Sequence, residues 1–425
     1  MNNSLLKKVE KSGVILVAVD DGTTPDFEYM LDEMRALIEA CDMEVLASVV
    51  QNLSNPNPGT YLGKGKIEEL KSLAQMLDAD KAVVADNLSP AQLKNLTDMA
   101  DVSVLDRTGL ILEIFAKRAK TREARLQVES ANLHYMLPRL VGMRASLGRQ
   151  GGASGSMSNK GQGEKQIELD RRHIERKITE VNRELEHIEH DRAVQRSLRE
   201  KNNIPCVALV GYTNAGKSTL MNTLLAKTSA DAEKLVFEKD MLFATLDTTV
   251  RKIELEDNKN FLLSDTVGFV SNLPHNLVKA FRTTLDEVRY ADLLLIVLDA
   301  SDKNAPIQRE VTEDTLKKLD CGDIPRIYVM NKCDRLDFVP SGSPSDETRV
   351  YISAKSGAGL EELLDKIKEV VYAGNKVIEV MIPYSKGALV DLINREGHVI
   401  EMEYKPEGTF IKADVPEWLV GKILG

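Results

Sequence analysis

Gly211-Tyr212-Thr213-Asn214-Ala215-Gly216-Lys217-Ser218 decides the fold of this 425-residue chain. The octet lies between an apolar run, Val207 to Val210, that reads as a buried strand, and a helix-patterned segment running through Leu225. Strand, glycine-spaced turn and helix in that order make a phosphate-binding loop. The glycines let backbone N–H groups turn inward, the helix start adds partial positive charge, Lys217 reaches the terminal phosphates and Ser218 ligates magnesium. A nucleotide is therefore the expected ligand, held where an apolar strand of an α/β domain turns into a helix.

The base is specified further along. Asn331-Lys332-Cys333-Asp334 follows the apolar strand Ile327 to Met330, and its Asp334 carboxylate suits the N1 and exocyclic amine donors of guanine. Ser353-Ala354-Lys355, after Val350 to Ile352, has the form of a companion loop whose backbone N–H reaches the guanine carbonyl. Asp265-Thr266-Val267-Gly268 follows Phe261 to Ser264; Asp265 is expected to hold magnesium through water and the Gly268 N–H to sense a third phosphate. Between loop and aspartate lies Phe243-Ala244-Thr245-Leu246-Asp247, where Thr245, ahead of Thr248 and Thr249, is the expected switch threonine. Ser218, Thr245 and Asp265 thus form the expected magnesium shell, and Lys217, Thr245, Gly268 and Asn214 the expected catalytic set for hydrolysis of GTP to GDP and phosphate.

One position departs from the usual hydrolytic set. After Gly268, where many GTPases carry a water-orienting glutamine, stands Phe269, which cannot polarise water. Slow intrinsic hydrolysis, assisted by a partner, is expected. Asn214 occupies the loop position that is asparagine in potassium-stimulated GTPases, so K+ is a second expected cofactor beside Mg2+.

Outward from this domain, 425 residues suit about three domains at roughly 150 each. The first hundred residues alternate strands (Gly13 to Val19, Val45 to Val50, Val83 and Val84, Val102 to Leu105) with helices (Phe27 to Ala40, Lys66 to Leu77, Asn87 to Met99), a small parallel α/β domain. Helical pattern runs from Thr108 to about Leu140, where Pro138 is expected to end it, and the seven glycines of Gly142 to Gly163 imply a loop. Ile167, Ile174, Ile178, Val181, Leu185 and Ile188 then fall on one helical stripe. The pair reads as a long hairpin with a glycine-rich tip. From Lys376 a strand, a helix and two strands make a small appendix. The chain is thus multidomain α/β: an N-terminal α/β domain over 1–110, a helical hairpin over 111–202, a P-loop GTPase domain over 203–373 and a C-terminal α+β domain over 374–425.

Charge is uneven. The net −10 divides into +6 over Lys117 to Glu200, with 18 basic against 12 acidic residues, and −16 elsewhere. Lys117 to Gly163 alone has nine basic residues against Glu123 and Glu129, a density suited to a phosphate backbone. The four cysteines, Cys41, Cys206, Cys321 and Cys333, lack metal-ligand spacing and read as reduced thiols. His187 and His190, among Glu186, Glu189 and Asp191, read as a solvated face. Apolar runs are too short for a membrane span and Met1 to Glu10 lacks a signal-peptide core, so the cytosol is the expected compartment.

Together with Gly161-Gln162-Gly163-Glu164-Lys165-Gln166-Ile167-Glu168, Asp170-Arg171-Arg172, Tyr61-Leu62-Gly63-Lys64-Gly65-Lys66, Asp106-Arg107-Thr108, Thr121 to Glu129 and Ala244 to Thr249, the order of motifs resembles the HflX family of translational GTPases over nearly the whole chain. The resemblance implies a monomeric factor that binds the large ribosomal subunit and its rRNA. It also implies splitting of stalled or idle ribosomes under stress, with the hairpin loop inserted toward the peptidyl transferase centre. Two departures stand out: the family's usual Gly-Pro-Gly-Glu is Gly161-Gln162-Gly163-Glu164, and Gly151 to Asn159 resembles an insertion. Relatives are credited with ATP binding through the N-terminal domain; Gly63-Lys64-Gly65-Lys66 here reads as a basic helix start. Two other readings compete with ribosome splitting: a GTP-regulated RNA-binding or signalling adaptor, and a hairpin that dimerises as a coiled coil through Ile174, Ile178 and Val181.

Overall fold

The computed structural model describes residues 11–23, 26–150, 157–201, 204–228, 243, 249–255, 259–271, 287–338 and 348–424. They divide into two compact units, the break falling between Ala193 and Val194. Continuous apolar runs in the first unit form a parallel sheet of order β2-β1-β3-β4, from β1 (Ser12–Asp20), β2 (Met43–Asn52), β3 (Lys81–Val84) and β4 (Ser103–Leu105). Val14 through Ala18 are wholly buried, as a strand covered on both faces requires. The covering helices are α1 (Phe27–Ala40), α2 (Lys64–Leu77), α3 (Pro90–Ala100) and α4 (Arg107–Arg118). Their starts are chemically marked. Asp26 accepts from the Tyr29 N–H, while Ser89 and Gln92 form a reciprocal capping box ahead of Pro90 at the first helical position.

The hairpin is α5 (Arg122–Gln150) and α6 (Met157–Lys201). Two expectations fail here. Helix α5 runs through Pro138, and both helices enter the glycine-rich stretch, of which residues 151–156 lie outside the described residues. A proline costs about 3 kcal/mol and each glycine about 1 kcal/mol in a helix interior, which weakens a helix without forbidding it. Arg139, next to the proline, is held: its guanidinium lies 3.4 Å over the Tyr135 ring and donates to Asp106 at 2.6 Å. The helical run expected from Thr108 also breaks, because α4 ends at Arg118 and α5 starts at Arg122.

Asp106 roots the hairpin on the sheet domain. One carboxylate oxygen accepts from the Gly109 N–H and the Tyr135 hydroxyl, each at 2.8 Å; the other accepts from the Leu88 N–H at 3.2 Å and from Arg139. It is fully buried. Above the root, Ile174 and Val181 of α6 are buried, as are Ala124, Val128 and Ala131 of α5. Arg122–Glu184, Lys177–Glu129 and Arg192–Glu123 pair across the helices at 2.6, 2.7 and 2.8 Å. Of the stripe expected from α6, Ile174 and Val181 are thus buried within one chain, while Ile178, Leu185 and Ile188 are half-buried.

In the second unit β5 (Cys206–Gly211), α7 (Lys217–Thr228), β6 (Thr249–Ile253), β7 (Phe261–Asp265), β8 (Leu293–Asp299), α8 (Ala305–Lys318), β9 (Arg326–Asn331), β10 (Arg349–Tyr351) and α9 (Leu360–Val371) build a sheet of order β10-β9-β8-β5-β7-β6. Only β6 is antiparallel. The core runs along Val207, Leu209, Leu293, Leu295, Ile327 and Val329. A small antiparallel sheet, β11 (Asn375–Ile382), β13 (Gly408–Pro416) and β12 (His398–Lys405), packs with α10 (Gly387–Glu396) and α11 (Glu417–Leu424). Helix α11 has no counterpart in the sequence reading; eight residues give too few turns for a periodicity. Lys259 ties this appendix to the GTPase domain through Asp414 at 2.6 Å.

Candidate nucleotide site

The octet sits where the sequence places it, between β5 and α7. Gly211 has φ of +144°, and a Cβ there would lie 2.3 Å from the Val297 carbonyl oxygen, so the strand can turn only on glycine. At Gly216, with φ +92°, a Cβ would lie 2.3 Å from the Asn331 amide nitrogen. Asn214 takes the left-handed conformation with φ 61°, which asparagine tolerates better than most residues. The Lys217 ammonium donates to the carbonyls of Gly211 at 3.1 Å and Tyr212 at 2.7 Å. Burial pushes its pKa down to about 8, against an opposing pull from Asp265.

Ser218 and Asp265 meet: the hydroxyl donates to the carboxylate at 2.6 Å, with Asp265 fully buried at the end of β7. Two hard oxygen donors at the mouth of a phosphate loop fit a magnesium ion whose other ligands are water and phosphate oxygens. Thr266 turns back to the Leu209 carbonyl at 2.6 Å, which leaves Gly268 against the loop. A Cβ on Gly268 would fall 2.8 Å from Thr213 and 3.0 Å from the Lys217 nitrogen, so only glycine brings its N–H this close to the phosphate position.

The guanine loops converge through one side chain. Asn331, nearly fully buried, donates to the Ala215 carbonyl and accepts from the Ala354 N–H, both at 2.9 Å, and so binds the phosphate loop to Ser353-Ala354-Lys355. Lys332 donates to the Asn214 carbonyl at 2.9 Å and pairs with Asp299 at 2.8 Å. Cys333 opens a single 3-10 turn and its N–H reaches the Ile352 carbonyl at 3.0 Å. Asp334 is exposed, and a hydrogen bond from Ser353 holds its carboxyl below the ordinary aspartate value. Lys355 is exposed beside it. The Asp299–Lys332 brace was not visible in the sequence, since nothing in Leu293 to Asp299 marks the last residue as a partner for a loop over thirty positions on.

The switch segment is less complete. Ala244, Thr245, Leu246 and Asp247 lie outside the described residues, as does Thr248. Thr249 opens β6 directly opposite Asp265. Phe243 belongs to the first unit, with φ of 53° and its ring edge-on to Phe115 of α4 at 4.7 Å between centroids. Its side chain is committed to that packing. His187 and His190 are exposed on α6, and no group of three His, Cys, Asp or Glu able to hold a metal occurs among the described residues.

The chain is similar to known proteins along most of its length. Residues 28–116 match the family described as GTP-binding GTPase N-terminal, residues 118–199 the GTP-binding GTPase middle region, and residues 206–332 the 50S ribosome-binding GTPase. The GTPase HflX of Caldanaerobacter subterraneus subsp. tengcongensis is 44% identical over 96% of this chain and 91% of its own. That of Escherichia coli is 41% identical over 80% and 78%. Among solved structures, a GTP-binding protein of Sulfolobus solfataricus in complex with GDP is similar over 85% of this chain and 98% of its own, with 24% identity and a TM-score of 0.44. With this identity along nearly its whole length, the chain belongs to the HflX family of GTPases, enzymes that hydrolyse GTP.

Proposed function

We propose that the protein uses GTP to bind the large ribosomal subunit and to split stalled or idle ribosomes under stress, acting as a cytosolic monomer. The observation that carries this reading is the basic hairpin rooted at Asp106: an excess of cationic side chains is mounted on a stiff two-helix arm, the form needed to push positive charge into a folded RNA. The match of residues 206–332 to 50S ribosome-binding GTPases supports the same partner. No described helix is long and apolar enough to cross a membrane.

In the GTPase domain, Asp334 and the loop at Ser353 select guanine, Lys217 neutralises the terminal phosphates, and Ser218 and Asp265 hold magnesium, which supplies charge compensation on the phosphates. Thr245 completes that shell, and the Asn214 side chain holds a potassium ion. Phe269 leaves water orientation to the ribosome. Potassium is then expected to raise turnover several-fold over sodium, and equal rates in the two salts would remove Asn214 from this role.

Sedimentation tests the reading. Protein loaded with a non-hydrolysable GTP analogue should convert intact ribosomes into subunits, the GDP form should not, and deletion of Gly142 to Gly163 should weaken the conversion. Binding without conversion would favour the RNA-binding or signalling adaptor, and binding indifferent to GTP or GDP would sink both.

A further inference from the structure

The residue in the glutamine position is not simply missing its function; its backbone is sewn to the phosphate loop. Phe269, almost fully buried, donates its N–H to the Gly211 carbonyl at 3.1 Å and accepts from the Thr213 N–H at 2.9 Å, forming a parallel bridge opposite Tyr212. Two residues on, Ser271 is caught by a side chain. The buried Tyr212 hydroxyl accepts from the Ser271 N–H at 2.9 Å and shares a second hydrogen bond with the Ser271 hydroxyl at 2.8 Å. Gly268 therefore stands between two fixed points, the end of β7 at Asp265 and the stitched run from Phe269 to Ser271, with Thr213 filling the space that a β-carbon would need.

We infer that Tyr212 is a positioning residue for GTP hydrolysis, its hydroxyl clamping Ser271 so that the Gly268 N–H is held toward the third phosphate. A donor fixed before the substrate arrives needs no reorganisation as charge develops, and it stabilises the transition state more than a mobile one. With Phe269 unable to orient water, this fixed backbone is the part of the switch that the chain itself supplies. The phenol ring could pack equally well as phenylalanine; the hydroxyl makes the two contacts to Ser271.

The test uses the full-length protein with magnesium. Tyr212→Phe keeps the ring and removes both hydrogen bonds of the hydroxyl, and is expected to slow single-turnover GTP hydrolysis by about 3- to 10-fold, the range of one or two hydrogen bonds. Affinity for a non-hydrolysable GTP analogue should fall by a comparable factor while GDP affinity stays within about twofold, since GDP has no third phosphate to sense. Ser271→Ala should weaken the same preference in part, because its N–H remains, and the double variant should be no worse than Tyr212→Phe alone. Unchanged hydrolysis in Tyr212→Phe would overturn the inference. So would equal losses for GTP analogue and GDP, or strictly additive effects, either of which assigns the tyrosine to loop folding only.

Discussion

Two sheets in this chain, one parallel and one parallel but for β6, end in polar clusters, and the clusters are built on opposite principles. At the ends of β3 and β4 every charge is answered from within: Asp106 takes four donors, and the Tyr61 hydroxyl donates to Asp86 at 2.5 Å while accepting from the Val19 N–H at 3.0 Å. Burial, then Asp86, pushes the Tyr61 phenol far above its ordinary pKa, so it remains a donor throughout the usable range. At the end of β5 the chain buries an ammonium, Lys217, which among the described residues donates to two backbone carbonyls, with Asp265 acting on it only through charge. One cluster is a joint, complete as folded. The other is held in a costly state that a polyphosphate relieves, which is how binding sites commonly trade stability for function.

The largest effect should come from separating these two roles. Lys217→Met removes the desolvated charge, so hydrolysis is expected to fall by at least about 100-fold, the scale of losing one transition-state charge contact, while the melting temperature of the nucleotide-free protein stays level or rises. Asp106→Ala should behave in reverse. Stranding Arg139 and the Leu88 N–H in a buried site is expected to destabilise the first unit by about 3–5 kcal/mol, with nucleotide affinity unchanged. A Lys217→Met protein that melts markedly lower, or an Asp106→Ala protein that melts like wild type, would erase the contrast between joint and binding site.

A gentler probe is pH. Below about pH 8 the lysine is charged in the free protein and GTP binds without proton exchange; above it the free lysine is neutral, and bound phosphates must recharge it. Affinity should hold steady up to about pH 8 and then fall by up to roughly tenfold per unit as pH rises further, with close to one proton taken up per nucleotide at pH 9. Calorimetry in buffers of different ionisation heat reads that proton directly. Zero uptake would mean that Lys217 is charged in the free site, and the strained-site half of the comparison would fall.

What the sequence made legible follows the same division. The phosphate loop, Asp265 to Gly268, Asn331 to Asp334 and Ser353 to Lys355 were readable because each is a contiguous run beside an apolar strand, and a local run carries its own geometry. The first sheet was readable because burial on both faces demands unbroken apolar strands. Asp106 stood within a recognised motif, yet its job depends on Leu88, Tyr135 and Arg139, which reach it only through the fold. The same holds for Tyr212 and Ser271, joined across 59 positions. Helix through Pro138, and through Gly142, Gly148, Gly161 and Gly163 beyond it, is not legible from local propensity, which carries no sign of the tertiary anchor at Arg139.

The shaft of the hairpin extends the contrast to its smallest term. Its Lys177–Glu129 ion pair is solvent-facing, with the side chains 47% and 39% exposed, so water and salt screen most of its attraction. Lys177→Ala should change stability by no more than about 0.5 kcal/mol. Ile174→Ala, one turn away and buried, should cost about 2–4 kcal/mol because it empties a filled apolar position. If the lysine variant proved the more damaging in thermal melts of the full chain, the arm would be an electrostatic assembly that loosens with salt. The apolar seam predicts instead an arm that keeps its shape at high ionic strength, so that salt weakens its hold on RNA without unfolding it.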